Sequence, residues 1–228
     1  DTTALGNFPG EKRTVDVTNA KALLDCAAEI KATFGAPTVW INNAGITKLG
    51  PFTETSAPDF DRVMAVNFNG VVNGTRAALS VMKDPARGTI VNMASVAGIV
   101  PAPFMTSYVA SKHAVIGFTR TLQQEFILQQ LPIRMLFVAP GFVRTNIMAP
   151  QNGIEFPDSL NFMVADVKTT AKAIAKGIAR GTLEIYPTFS GRMFKSMQSL
   201  FPGVLAKSSR LLVAKNWKEM LGITKIKP

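Results

Sequence analysis

The chain has 228 residues, 47% of them apolar, which is enough for one domain with a substantial core. It contains no low-complexity tract, no solenoid-type repeat and no apolar run of about 18 residues, which excludes disorder, a repeat array and a membrane-spanning helix. The formal charge is +10, with one cysteine, Cys26, and one histidine, His113; an intrachain disulfide is therefore impossible, a zinc site is not expected, and a reducing, cytoplasmic setting is.

The opening DTTALGNFPGEKR has neither the basic n-region nor the apolar h-region of a signal peptide, and it lacks an initiating Met. We expect a processed or partial chain. RTVDV (13–17) reads as the first strand and NAKALLDCAAEIKATFG (19–35) as a helix, capped by Thr18-Asn19 and ended by Gly35. TVWIN (38–42) is the next strand, followed by a long helical pattern over 57–83. TIVNMAS (89–95), IRMLFVAP (133–140) and TLEIYP (182–187) are further strands, separated by helical patterns over 107–130 and 166–181. The continuous apolar runs suit strands buried on both faces of a parallel sheet. Strand–helix alternation predicts an α/β fold of Rossmann type, doubly wound, with helices on both faces of the sheet.

We expect one domain over 1–228: a core to Pro187 and an apolar, basic appendage over 188–228. From Lys176 onward ten Lys and Arg stand against Glu184 and Glu219, a net of +8. That end is either a solvated face or a surface for anionic lipid, giving peripheral membrane association without a span. No aromatic–basic interleaving supports a nucleic-acid partner.

Ligands of parallel α/β sheets sit at the carboxyl ends of the strands. After TVWIN come Asn43, Ala44 and Gly45; after TIVNMA comes Ser95; after IRMLFVA come Pro140 and Gly141. On the helix after Ser95, the i, i+4 spacing puts Tyr108 and Lys112 on one face. An ammonium beside a phenol is expected to lower the phenol's pKa toward the range useful for acid–base work. Such a set suits carbonyl/alcohol chemistry with hydride from a cofactor. His113 is placed off that face.

The set NNAG, Asn67 in AVNFNG, Ser95 in IVNMASVAG, Tyr108-x-x-x-Lys112 and PGFVRT resembles the short-chain dehydrogenase/reductase family, over most of the chain from Asp16 to Pro187. The resemblance implies roles. Tyr108 would be the acid/base. Lys112 would bind the nicotinamide ribose and tune Tyr108, and Ser95 would orient the substrate carbonyl. Asn67 would hold a relay water; the other reading is a packing residue. Asp16, with Val17 beside it, would contact adenine, unless Asp16 only caps the following helix. Asn43, Ala44 and Gly45 would lie along the adenosine. Pro140, Gly141, Val143 and Thr145 would bracket the nicotinamide, unless Thr145 is only a cap. A homodimer or homotetramer through the 108–130 helix is implied, with the tail blocking one tetramer interface.

The chain departs from the family pattern at its start. No glycine-rich phosphate loop between a strand and a helix precedes Asp16. We expect the natural protein to carry this first βαβ unit in a longer chain. The basic charge favours NADP, with NAD as the alternative. The function expected is an oxidoreductase interconverting a carbonyl and an alcohol on a small lipophilic substrate of steroid, retinoid or long-chain acyl type. The rival is a non-catalytic binding or scaffold protein on the same fold, without cofactor binding. Met and Phe residues of 189–205 are either plain core or the wall of the substrate pocket.

Overall fold

The computed structural model describes residues 9–82, 88–149, 151 and 158–201. The apolar runs become β1 (Val39–Asn42), β2 (Gly88–Met93), β3 (Ile133–Val138) and β4 (Glu184–Ile185), paired in parallel in that order. α1 (Ala20–Phe34) precedes β1; α2 (Ala57–Met64), α3 (Gly70–Val81), α4 (Thr106–Leu128) and α5 (Val167–Ala179) stand between the strands, with α6 (Phe189–Leu200) after β4.

Strand alternation sorts the side chains into two layers. Ile133, Met135 and Phe137 of β3 join Ile90 of β2 under α3 and α4, packed on Ala77, Ala78, Val115, Ile116 and Phe126. Leu136 and Val138 point the other way, with Val91 and Ile185, onto Ile174 and Ile178 of α5. The sheet is therefore covered on both faces, and β2 and β3 are buried as their composition requires. β1 is not: Val39 and Ile41 are 42% and 49% exposed, because β1 is the sheet's edge among the described residues.

α1 begins where the Asn19 side chain accepts from the Ala22 N–H at 3.0 Å and ends at Gly35, whose φ of 84° suits glycine. The pattern over 57–83 does not form one uniform helix. A π-helical turn over Ala65–Asn69 separates α2 from α3. Such turns insert a residue into the helical ladder; the buried residue of this one is Asn67.

RTVDV, expected as a strand, pairs with nothing among the described residues. A strand exists only against a partner, and β1 already stands at the described edge. Val15 and Val17 instead pack side-on against the cluster built by α1, α3 and β2.

A chain of buried amides ties the layers together. Asn42 Nδ2 donates to Asn92 Oδ1 at 2.8 Å across the paired β1 and β2 positions, and Asn92 Nδ2 donates to Thr119 Oγ1 of α4 at 2.9 Å. Asn42 also accepts from Trp40 Nε1 at 2.8 Å and donates to Thr75 of α3 at 3.2 Å. Asn92 is fully buried, so removing it strands polar groups on both neighbours. Asn92→Ala is expected to destabilise the fold by about 2–4 kcal/mol, since each unpaired buried group costs about 1–3 kcal/mol; denaturant titration measures it, and a loss under about 1 kcal/mol would contradict this role.

Candidate active site

The carboxyl ends of β2 and β3 continue in step past the strands: Ala94 N donates to the Val138 carbonyl and Val96 N to the Pro140 carbonyl, both at 2.8 Å. These bonds hold Ser95 in an extended conformation at the start of a short 3-10 turn, where its Oγ accepts from Ala97 N at 3.1 Å. Gly98 of that turn packs on the α4 backbone so closely that a Cβ there would lie 2.6 Å from the Lys112 carbonyl. This contact seats Ser95 beside the α4 face that carries Tyr108 and Lys112.

Both side chains are buried, 8% and 3% exposed. Lys112 Nζ lies 5.5 Å from the Tyr108 ring centroid and donates to the Met93 carbonyl at 2.8 Å. Burial pulls the Lys112 pKa from 10.5 down to about 8, with no carboxylate opposing it. Burial also pushes the Tyr108 phenol up, while the Ser95 hydroxyl facing it pulls the other way. The expected lowering of Tyr108 by Lys112 is therefore corrected: in the protein alone, desolvation dominates both groups.

These side chains open on a cavity of about 780 Å³, a ligand-sized space. Ser95, Tyr108, Lys112, Asn43 and Gly45 line one part of it, and Pro140, Gly141, Val143 and Thr145 line another. Thr145 is exposed and makes no side-chain cap; its hydroxyl donates to the Val143 carbonyl at 3.4 Å.

The remaining candidates lie elsewhere. Ala44 is exposed and does not line the cavity. Asp16 turns its carboxylate onto Thr18, accepting from its N–H at 2.9 Å and its hydroxyl at 2.8 Å, bonds that hold its pKa below the usual carboxylate range. That is a turn preceding α1, whose cap is Asn19 rather than Asp16, and Val17 packs against the neighbouring apolar cluster. Asn67 is fully buried. Its Oδ1 accepts from Ile46 N at 2.8 Å, and its Nδ2 donates to the Ile46 carbonyl at 2.9 Å and Ser111 Oγ at 3.0 Å. Both amide hydrogens are engaged, and the side chain pins the loop after β1 to α4. His113 is exposed, bonded to the Val109 carbonyl at 2.9 Å.

Sequence reasoning missed the apolar half of the cavity: Leu49, Val96, Phe104, Phe142, Val167 and Ile174. One signal was available. IVPAPFM (99–105) is too apolar for a solvated loop and lacks helical period because of its two prolines. Phe104 adopts φ 64°, a left-handed conformation that is rare for a bulky residue and found mostly where surroundings enforce it. Phe194 of α6 also lines the cavity and meets Phe142 edge-to-face at 6.1 Å. In the described part of the appendage, this residue forms pocket wall.

The Lys112 ammonium is a buried cation that lines the cavity, and its hydrogen-bond acceptor is the Met93 carbonyl. Gly45 stands next to it, where a Cβ would lie 3.5 Å from Nζ. A ligand carrying vicinal hydroxyls fits such a place. A phosphate loop does not appear among the described residues.

The family model for short chain dehydrogenases matches residues 10–154. SadH of Mycobacterium tuberculosis, an oxidoreductase by name, is 32% identical over 179 residues, covering 75% of this chain and 65% of SadH. The Bos taurus dehydrogenase/reductase SDR family member 7B is 37% identical over 154 residues, covering 67% of this chain and 43% of that protein. The chain thus spans less than two thirds of these relatives. A Streptomyces avermitilis short-chain dehydrogenase structure superposes with a TM-score of 0.74 at 24% identity, over 95% of this chain and 86% of that one, which shows the shared fold. On its matched motifs and its fold, this chain belongs to the short-chain dehydrogenase/reductase family.

Proposed function

We propose that this chain is the catalytic part of an NAD(P)-dependent oxidoreductase that interconverts a carbonyl and an alcohol on a lipophilic substrate. One observation carries the reading: Ser95, Tyr108 and Lys112, from a strand end and one helix face, meet at the wall of a largely apolar cavity. Lys112 and Gly45 would hold the nicotinamide ribose, with Asn43 alongside and the Pro140–Thr145 segment flanking the ring. When bound, the cofactor supplies hydride.

The protein's own part is to hold the substrate oxygen and move one proton. Ser95 Oγ and Tyr108 Oη both face the position a substrate oxygen would take, and Tyr108 gives or receives the proton there. Hydroxyls of a bound ribose would partner the spare Lys112 donors and offset part of the burial of that charge. A bound substrate and cofactor would displace water from the apolar walls, which would strengthen each of these polar contacts. A 24%-identical structure from Burkholderia cenocepacia was solved with NADP, which together with the basic chain supports NADP over NAD. Ile127 and Leu128 at the end of α4, 66% and 81% exposed, support a homodimer or homotetramer through that helix. No helix among the described residues is long and apolar enough to cross a membrane, and the basic residues from Lys207 onward lie outside the described residues.

A non-catalytic reading remains the alternative, because one relative, 40% identical over 136 residues, is named an inactive 2-(S)-hydroxypropyl-CoM dehydrogenase. The decisive experiment is Tyr108→Phe in the full-length protein. The kcat for ketone reduction is expected to fall about 10²- to 10⁴-fold, the usual size of general acid–base catalysis, while nicotinamide fluorescence titration shows retained cofactor binding. An unchanged kcat, or no NAD(P)H binding by the wild type, would rule the reading out.

The apolar cavity makes a second expectation. Along a series of linear ketones, kcat/KM should rise about three- to fourfold per methylene until the space fills, from about 0.8 kcal/mol per buried CH₂. A flat series would argue for a polar substrate.

Lys112 gives a pH signature in the unliganded protein. Its pKa is about 8 folded against an ordinary 10.5, so between those values the unfolded chain carries the extra proton and stability rises with pH. Below about 8 both states are charged and the full penalty, about 3 kcal/mol, is present. Between pH 7.5 and 9.5, wild type should therefore gain about 1–2 kcal/mol relative to Lys112→Met in denaturant titrations. A pH-independent difference would mean that Lys112 is not destabilised as a cation.

A further inference from the structure

The residues that open α6 hold the cavity wall. Thr188 and Ser190 are 2% and 0% exposed, and both hydroxyls are engaged by backbone. Thr188 Oγ1 accepts from the Gly141 N–H at 2.9 Å and from the Gly191 N–H at 3.0 Å. Ser190 Oγ accepts from the Phe142 N–H at 3.1 Å and donates to the Met163 carbonyl at 3.2 Å. Two consecutive amides of the loop after β3 are thus satisfied by side chains 47 and 48 residues downstream.

The sheet explains why. The β3–β4 ladder extends to Ala139 N donating to the Ile185 carbonyl at 2.8 Å. Beyond that rung the chains diverge, and a buried amide still needs an acceptor. The two hydroxyls take the place of the missing carbonyls. The backbones approach closely enough to exclude side chains: a Cβ on Gly141 would lie 2.6 Å from Gly191 N and would meet Ser190 Oγ, and a Cβ on Gly191 would lie 3.0 Å from Gly141 N. The pinned loop reaches the chemistry directly. Gly141 and Phe142 line the cavity, and the Pro140 carbonyl accepts from Val96 N, the residue after Ser95.

We infer that Thr188 and Ser190 are positioning residues. They fix the Pro140–Phe142 wall and, through Pro140, the Ser95 turn, so that a carbonyl substrate meets Tyr108 in reactive register. The inference deepens the oxidoreductase reading and rests on it. A displacement of about 1 Å at a reacting centre can cost about 10²-fold in rate, so the latch should act on kcat.

The test uses the full-length protein with Thr188→Val, Ser190→Ala and Thr188→Ser, and with Tyr108→Phe in parallel. Hydrogen exchange is read at individual amides. Thr188→Val should speed exchange at Gly141, and Ser190→Ala at Phe142, by about tenfold or more, while β2 and β3 amides stay protected. The kcat should fall about tenfold or more, with KM moving less than about threefold and the midpoint of the pH–rate profile unchanged. Thr188→Ser, which keeps the oxygen, should restore both readouts. Should Thr188→Val fail to fold, Ser190→Ala, which removes one oxygen, carries the same comparison. Unchanged exchange at 141–142, or faster exchange with an unchanged kcat, overturns the inference. If Tyr108→Phe keeps full activity, the oxidoreductase reading fails instead, and the exchange data still decide whether the latch holds the loop.

Discussion

The bond from Lys112 Nζ to the Met93 carbonyl, 2.8 Å long and deep in the protein, is the contact on which the site depends. It joins the middle of α4's first turns to the last residue of β2. With that anchor set, Tyr108 lies one helical turn earlier on the same face, and Ser95 two residues past the strand. The cost is a cation with no carboxylate partner, held at a pKa near 8 by desolvation. Proteins rarely keep such a group for stability's sake. Perturbed titratable residues in a cavity are candidate functional groups on physical grounds, and here the geometry agrees.

Polar ties that never touch the cavity support this arrangement. Asn67, buried within the π-helical turn, binds both backbone groups of Ile46 and the Ser111 hydroxyl, which ties the loop after β1 to α4. The Asn42–Asn92–Thr119 chain joins β1, β2 and α4. Thr188 and Ser190 join α6 to the loop after β3. Each uses a buried side chain to join elements that the backbone ladder does not connect, and each would be expensive to leave half-made. The described part of the carboxyl-terminal segment, up to Phe201, thus belongs to the site rather than hanging from it.

Much of this was legible in the sequence. The apolar runs of β2 and β3, the caps of α1 and the i, i+4 pair of Tyr108 and Lys112 depend on short-range patterns, and the structure places them as read. RTVDV misled because a strand is defined by its neighbour, and no periodicity states whether a neighbour is paired. Asp16 sat in the right motif, yet its carboxylate is used by Thr18 two residues away. Asn67 was read as a water holder or a packing residue, and its bonds to Ile46 and Ser111 are visible only in the folded chain.

The sequence by itself determined the α/β class, the family and the candidate site residues Ser95, Tyr108 and Lys112, because those follow from local spacing and residue chemistry. Tertiary structure alone decided the direction of the Tyr108 and Lys112 pKa shifts, since burial is a property of what surrounds a group. It also decided the apolar walls from Leu49, Phe104 and Phe194, and the reach of Thr188 and Ser190 back to Gly141 and Phe142. Those contacts join residues tens of positions apart, brought together by a parallel sheet whose crossovers return each strand end to the same side of the molecule.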